Sequence, residues 1–399
     1  MLIITAPGQG AQTPGFLAPW LELPGVAERL GTWSELADLD LIRSGTTGGA
    51  DEITDTAVAQ PLLVAAALAA AGLLPGEPDG AAGHSVGELA AGAIAGVLSA
   101  EDAMRLTGVR GRAMAAATAA EPTGMTAVLG GDEATVLAAV EAAGLTPANV
   151  NGAGQIVAAG TLGQLQGFAD NPPPGARLRP LRVAGAFHTS HMAAAVAALA
   201  SAAADAVVKD PAITLLSNRD GAVVTSGTAW LDRIVAQVAA PVRWDLCMET
   251  MTDIGVTAIL ELPPAGTLTG LARRALPGVE LLALKTPDQL GAARQLIAEH
   301  ATAVAGYATA AGHPPEWKIA VAPASGTFRS ADISGEDAAG AGATVPAGAE
   351  LGQVEARGGV RPVTSPWPAV LVEWLAEDGD PVSEGQPLAR LELAAQDGQ

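Results

Sequence analysis

GHSVG, residues 83–87, is the stretch whose reading decides this 399-residue chain. A glycine on either side of the central Ser85 lets a strand turn sharply into a helix, with the serine Oγ uncrowded at the tip. The same turn aims backbone N–H groups of the following helix at that point, where they can hold the oxyanion of a tetrahedral acyl intermediate. A glycine-flanked serine also arises by chance in a chain with 48 glycines, so the motif needs partners.

A serine nucleophile needs a base, and the chain has five histidines. His84 adjoins Ser85, so its side chain should diverge from the serine; His300 falls late in a helix and His313 in a linker, where a solvated surface role is expected. That leaves AFHTSHM, residues 186–192, with His188 and His191. Two histidines three apart could share a metal on one helix face, but no nearby Asp, Glu or Cys cluster offers a third ligand.

Composition narrows the classes. Hydrophobic residues make up 49% of the chain and aromatics only 3%, so alanine supplies much of the apolar content, which suits closely packed helices. With 21 basic and 42 acidic residues the formal charge is −21, which disfavours nucleic acid or an anionic membrane as a partner. The single Cys247, beside Trp244 and Met248, excludes an intramolecular disulfide framework and reads as a buried structural thiol. MLIITAPGQG is too short an apolar run for a signal peptide, and the alanine-rich stretch 62–74 is helix-like, so a soluble cytoplasmic protein is expected.

Outward from the elbow, Leu2 to Ala6 reads as a buried strand entering the glycine loop PGQGAQ, and residues 58–74 as a buried helix. Ser99 followed by Asp102 predicts a capping box opening a helix through Arg110 and Met114. From Met125 to Val183 the units shorten into a βαβαβ-like pattern, compact enough for an inserted subdomain. After His188 the larger pattern resumes, with a helix at 192–208, strands near 213–216, 257–262 and 280–284, and a mostly parallel sheet. The Pro-Pro pair in AGHPPEW, 311–317, marks a linker. Beyond it Gly342, Val345, Gly348, Leu351 and Glu355 recur as Gly379, Val382, Gly385, Leu388 and Glu392 at a constant offset of 37, and APASGTF, 322–328, has its counterpart in SPWPAVL, 365–371. Two such halves predict a small β-domain with pseudo-twofold symmetry.

Eight motifs occur in order: PGQGAQ at 7–12, AQPLL at 59–63, GHSVG at 83–87, VRGRAM at 109–114, GAFHTSHM at 185–192, SNRDG at 217–221, PVRWD at 241–245 and GTLTGLARR at 266–274. Together, over roughly residues 1–300, they resemble the malonyl-CoA:acyl carrier protein transacylases of fatty-acid and polyketide synthesis. The resemblance implies an α/β fold, with an α/β-hydrolase-like large subdomain at 1–123 and 188–308 and an inserted ferredoxin-like small subdomain at 124–187. It implies Ser85 as the acyl-accepting nucleophile and His188 as its general acid/base, oriented by a backbone carbonyl at Gln237 rather than by an aspartate. Gln9 and Val86 would supply the oxyanion N–H groups. Arg110 matches the arginine that takes the malonyl carboxylate, its fork favouring malonyl over acetyl. Arg112, two residues on, must face elsewhere. Gln60 would line the pocket, and Asn149 and Asn151 match a polar loop of the small subdomain, where loop-capping amides are an equal alternative. Phe187 resembles malonyl-selective members more than methylmalonyl-selective ones. The chain departs from the family at LPPAG, 262–266, where Pro264 stands in place of a more flexible residue.

The implied reaction is ping-pong transfer of malonyl from a coenzyme A thioester to the phosphopantetheine thiol of an acyl carrier protein, with no tightly bound cofactor and no metal. Carrier proteins are usually acidic, so Arg182, Arg243, Arg273 and Arg274 are expected to form a basic rim. The halves at 317–395, after a linker at 309–316, resemble biotinyl and lipoyl carrier domains of barrel-sandwich type. Where such domains carry EAMKM, this chain reads EARGG, Glu355 to Gly359, with Gly358 at the lysine position, so no biotin or lipoate attachment is expected. A docking or assembly role with a protein partner is then the reading of that domain, against a vestigial one. Two other readings of the whole remain open on sequence: a non-catalytic scaffold that docks a carrier protein, and a thioesterase or other acyltransferase using the same acyl-serine with a different acceptor.

Overall fold

The computed structural model describes residues 1–76, 78–119, 121–301, 317–331, 343–365, 368–376 and 378–393. The expected linker with His313, Gly342 of the repeat and the Pro-Trp pair of SPWPAVL lie outside the described residues. The chain divides into two units, Met1–Thr302 and Ala303–Gln399.

In the first unit β1 (Leu2–Ala6) is buried along its whole length and runs straight into the 7–12 loop. Four short helices follow, α1 (Ala18–Leu21), α2 (Val26–Ala37), α3 (Leu41–Thr47) and α4 (Ala50–Thr54), and lead to α5 (Thr56–Ala71). Helix α5 is apolar on every face and is buried from Ala59 to Ala70, as a helix without a polar stripe must be. Strand β2 (Gly80–Gly83) then gives way to α6 (Gly87–Ile94) and α7 (Ala100–Thr118). Ser99 Oγ accepts the Asp102 N–H at 3.0 Å, but the expected reciprocal half of the capping box is replaced: the Asp102 carboxylate takes Arg105 at 2.9 Å. A charged partner one turn on outcompetes a single backbone amide for an exposed carboxylate.

The small layer holds β3 (Thr123–Gly130), α8 (Glu133–Ala142), β4 (Thr146–Gly152), β5 (Gln155–Thr161), α9 (Leu162–Asp170) and β6 (Ala176–Pro180). The βαβαβ expectation missed β4, whose sequence TPANVNG has proline and two asparagines and so little of a strand's usual chemistry. It is a strand because Gly152, Ala153 and Gly154, all at positive φ, turn the chain back so that β4 and β5 pair antiparallel. The chain returns through α10 (Ala193–Ala203), β7 (Thr214–Leu215), α11 (Gly227–Gln237), β8 (Val242–Arg243), α12 (Trp244–Asp253), β9 (Ala258–Glu261), α13 (Thr267–Ala275), β10 (Glu280–Ala283) and α14 (Leu290–His300).

Two five-stranded sheets result among the described residues of this unit. The first, in order β10-β9-β1-β2-β7, is parallel throughout, with Ile3 opposite both Gly80 and Ile259. The second, β6-β3-β5-β4-β8, is antiparallel except that β8 pairs parallel to β4, so residues far beyond the insertion complete its edge. The main core joins Leu2, Ile4, Trp20, Leu63, Leu89, Met104 and Trp230.

In the second unit β11 (Trp317–Val321), β12 (Gly326–Ser330), β13 (Thr344–Val345), β14 (Glu350–Ala356), β15 (Gly359–Thr364), β16 (Ala369–Trp374), β17 (Pro381–Val382) and β18 (Pro387–Leu393) form two sheets, β11-β18-β16-β13 and β15-β14-β12-β17. The repeat is visible in the bounds: β13 and β14 recur as β17 and β18 at the offset of 37. Gly348 and Gly385 share the left-handed turn, at φ +82° and +81°, and Leu351 and Leu388 are both fully buried in the core that the two sheets share.

Candidate active site

The elbow is built by exclusion of side chains. A Cβ on Gly83 would sit 2.0 Å from the Gly87 carbonyl carbon, and one on Gly87 would sit 2.2 Å from Ala6 O, so β2, the turn and β1 close on one another only with glycine at both places. Between them Ser85 is held at φ +55°, a left-handed conformation that a non-glycine residue adopts at a cost of about 1–3 kcal/mol. Asn218 stabilises it: Oδ1 accepts Ser85 N–H at 2.7 Å while Nδ2 donates to Gly83 O at 2.7 Å.

Ser85 Oγ lies 2.7 Å from His188 Nε2, and His188 Nδ1 lies 2.8 Å from Gln237 O. A carbonyl oxygen only accepts, so the proton sits on Nδ1 and Nε2 is left to take the serine proton. Both ring nitrogens of His188 are thereby engaged, and His191 turns away to Glu121 at 3.1 Å. His188 is itself at φ +60° and 3% exposed. Burial, reinforced by the Arg110 charge, pushes its pKa down to about 3, so the imidazole is a free base throughout the neutral range.

Arg110 projects from α7 into the same place and is 1% exposed. One guanidinium nitrogen donates to Gln60 Oε1 at 2.6 Å, the other to Gln237 Oε1 at 2.9 Å and to Ser85 Oγ at 3.3 Å. All three acceptors are neutral, so no carboxylate quenches it, and burial draws its pKa down to about 10. Arg112 faces elsewhere, donating to Ala37 O at 2.5 Å.

A cavity of about 240 Å³ opens above these groups. Gln9, Gln60, Ser85, Val86, Asn149, Asn151, Phe187 and His188 line it, with an apolar wall from Met114, Met125, Val157, Leu181 and Val183. Arg110 and Gln237 lie beneath it, touching Ser85. Neither Gln9 N–H nor Val86 N–H donates to a backbone acceptor among the described residues, and the Gln9 loop is anchored by its side chain on Thr54 O and by Gln12 on Ile53 O, both at 3.1 Å. His84 diverges as expected, its Nε2 2.8 Å from Asn151 Oδ1, and Asn151 Nδ2 continues to Gln155 Oε1 at 2.9 Å. Asn151 therefore ties the small layer to the elbow rather than capping a loop.

Three residues that the sequence reading left without a role complete the frame. Glu88, in the first turn of α6, is 1% exposed, and its carboxylate accepts from Gln237 Nε2 at 2.5 Å and from Asn218 N–H at 3.3 Å. Asn218 was legible only as part of SNRDG. Glu261, fully buried on β9, accepts four backbone N–H groups at 266–269 and the Thr269 hydroxyl, all within 3.1 Å. That carboxylate fixes the start of α13, whose Thr267, Leu268 and Leu271 line the cavity, and so settles the geometry after Pro264. The available signal was an acid in an otherwise apolar turn, VGELAAG and AILELPP.

Of the four expected rim arginines, Arg243 is engaged by Asp245 at 2.6 Å, while Arg182, Arg273 and Arg274 are exposed without an ion pair among the described residues. His300 stays at the surface, partly exposed, where it bridges Thr257 Oγ1 and Glu280, both at 3.0 Å. With Glu280 and Glu299 it is the one grouping of three potential metal ligands among the described residues, and none of them lines the cavity. Cys247 is fully buried, donates to Ser217 O at 3.4 Å, and burial raises its pKa.

Residues 22–303 match the acyl transferase domain family. The chain is 56% identical over 296 residues to the malonyl CoA-acyl carrier protein transacylase of Mycobacterium tuberculosis, spanning 73% of this chain and 98% of that one. The fold is similar to the crystal structure of the M. tuberculosis protein, with a TM-score of 0.72 over 74% of this chain and 99% of that one. It is also similar, at 29% identity and a TM-score of 0.69 over 74% of this chain and 99% of that one, to a malonyl-transacylase solved in complex with a type II polyketide acyl-carrier protein.

Proposed function

The chain belongs to the acyl transferase family as a malonyl-CoA:acyl carrier protein transacylase, and from that premise we propose how its residues carry the reaction. The protein moves a malonyl group from malonyl-CoA to the phosphopantetheine thiol of an acyl carrier protein. The observation that carries the assignment of roles is that a single oxygen, Ser85 Oγ, meets both His188 Nε2, at 2.7 Å, and the Arg110 guanidinium, at 3.3 Å.

Ser85 Oγ attacks the thioester carbonyl as its proton passes to His188 Nε2. The oxyanion is held by Gln9 N–H and Val86 N–H. Collapse expels the coenzyme A thiolate, which takes the proton from the imidazolium, and leaves malonyl-Ser85. The carrier thiol then repeats the sequence in reverse order, giving its proton to His188 and regenerating the serine. Arg110 pairs with the malonyl carboxylate; acetyl would leave the buried cation without a charged partner, which is the basis of the preference. The Gln237 carbonyl gives the imidazolium less stabilisation than a carboxylate would, enough for an activated thioester. Phe187 and the apolar wall exclude water from the acyl-enzyme, favouring transfer over hydrolysis.

Mixing with malonyl-CoA should give one malonyl adduct by intact-protein mass measurement, lost in Ser85→Ala and discharged by a holo carrier protein faster than by buffer. No adduct on the wild-type chain would sink this reading. For the second unit, the hairpin of β14 and β15 with Arg357 and Gly358 at its tip supports a biotinyl/lipoyl-like domain without the modified lysine, acting as a docking module. No helix among the described residues is long and apolar enough to cross a membrane.

A further inference from the structure

Glu88 is an acid buried where no cation touches it: among the described residues it makes no ion pair. Isolating a carboxylate in this way is costly, and burial pushes its pKa up to about 7. Its contacts explain what it does there. The Gln237 amide has one donor end and one acceptor end. The donor end meets three acceptors, Glu88 Oε2 at 2.5 Å, Ser85 O at 3.1 Å and Asn218 Oδ1 at 3.2 Å. The acceptor end meets the Arg110 guanidinium at 2.9 Å. Turning the amide over would set its oxygen against a carboxylate and its NH2 against a cation, so the acid and the arginine fix its direction from opposite sides.

We propose that Glu88 is a positioning residue for acyl selectivity, holding Arg110 in place through the Gln237 side-chain amide while leaving its guanidinium free to pair with the substrate carboxylate. A direct Glu88–Arg110 ion pair would neutralise the cation and compete with malonyl. One intervening amide keeps the attraction across the site and removes the competition, since Arg110 touches only neutral acceptors. This inference rests on the reading of Arg110 as the partner of the malonyl carboxylate.

The test is the ratio of kcat/KM for malonyl-CoA to that for acetyl-CoA in wild type, Glu88→Gln, Arg110→Ala and the double variant, each checked for folding by its melting temperature. Glutamine keeps the shape of residue 88 but carries no charge and can donate as well as accept, so the Gln237 amide loses the strongest of the acceptors that fix its direction, keeping Ser85 O and Arg110. Glu88→Gln should lower the ratio by about tenfold, the scale of one oriented buried polar contact, and should add nothing in the Arg110→Ala background. Equal losses for both donors, with the ratio intact, would mean a purely structural role and overturn the proposal; so would a further fall of the ratio in the double variant. If Arg110→Ala leaves the ratio unchanged, the reading of Arg110 fails and this one with it. Should Glu88→Gln not fold, Gln237→Leu removes the amide but keeps the backbone carbonyl that His188 needs, and an unchanged ratio there overturns the proposal equally.

Discussion

Ser85 and His188 sit at φ +55° and +60°, two left-handed residues facing each other across 2.7 Å. Such backbone strain persists only where the surroundings over-determine it, and here Asn218, Gly83, Gly87 and the Gln237 carbonyl do so. The electrostatics of the pair belong to this scale too. Burial comes first and the Arg110 charge second in holding the His188 pKa at about 3. Removing a positive neighbour favours the protonated imidazole, so Arg110→Ala should raise that pKa, although burial still keeps it below the ordinary histidine value. With acetyl-CoA as donor, which brings no carboxylate of its own to titrate, His188 should impose no acid limb on the wild-type kcat/KM until its pKa of about 3, so any change near pH 7 belongs to Glu88. The Arg110→Ala profile should fall off at higher pH, and an acid limb that does not move upward would contradict this account. Elimination among five histidines left the pair His188 and His191 and the family resemblance pointed to His188, but its tautomer was not legible, because the carbonyl that fixes it lies 49 residues on at Gln237.

At the scale of elements, β2, the elbow and α6 work because the chain is stripped of side chains where three segments meet. Gly87→Ala would drive a Cβ to 2.2 Å from Ala6 O, a backbone atom that cannot swing aside. We expect a loss of about 1–3 kcal/mol or more, read as a lower urea midpoint, together with slower acylation because Val86 N–H shifts with the turn. Gly10→Ala is the control in space, since nothing lies within 4 Å of its Cβ, though its φ of +116° adds backbone strain alone. Equal stability of Gly87→Ala and wild type would refute the packing argument. Strand β2, with the sequence GAAG, was legible only through the elbow that follows it, while helix and strand periodicity disclosed β1, α5, β7, β9 and β10 to within a few residues. Periodicity could not disclose β4, a strand by virtue of its neighbours: β5 pairs along one edge and β8, from 90 residues later, along the other.

At the scale of the whole molecule, each unit has its own buried core, the first around Leu2, Trp20 and Trp230 and the second around Phe328, Leu351 and Leu388. Every residue of the candidate site belongs to the first. A chain ended after residue 301 should therefore fold and keep its malonyl transfer to a carrier protein within about twofold, because the site and the core beneath it lie in the first unit; loss of transfer with the fold intact would place part of the function in the second unit. The sequence by itself determined the glycine-flanked Ser85, the histidine pair at 188 and 191, the mostly parallel sheet and the 37-residue repeat, because each is written in local residue chemistry or in spacing that survives without coordinates, while the roles of His188 and Arg110 came from the resemblance of the ordered motifs. Tertiary structure alone decided how buried charge is arranged around Ser85. Glu88, Gln237, Asn218 and Arg110 come from four separate stretches, and whether an acid quenches a cation or only orients it depends on which atoms are within hydrogen-bond reach, a property of packing that no linear spacing records.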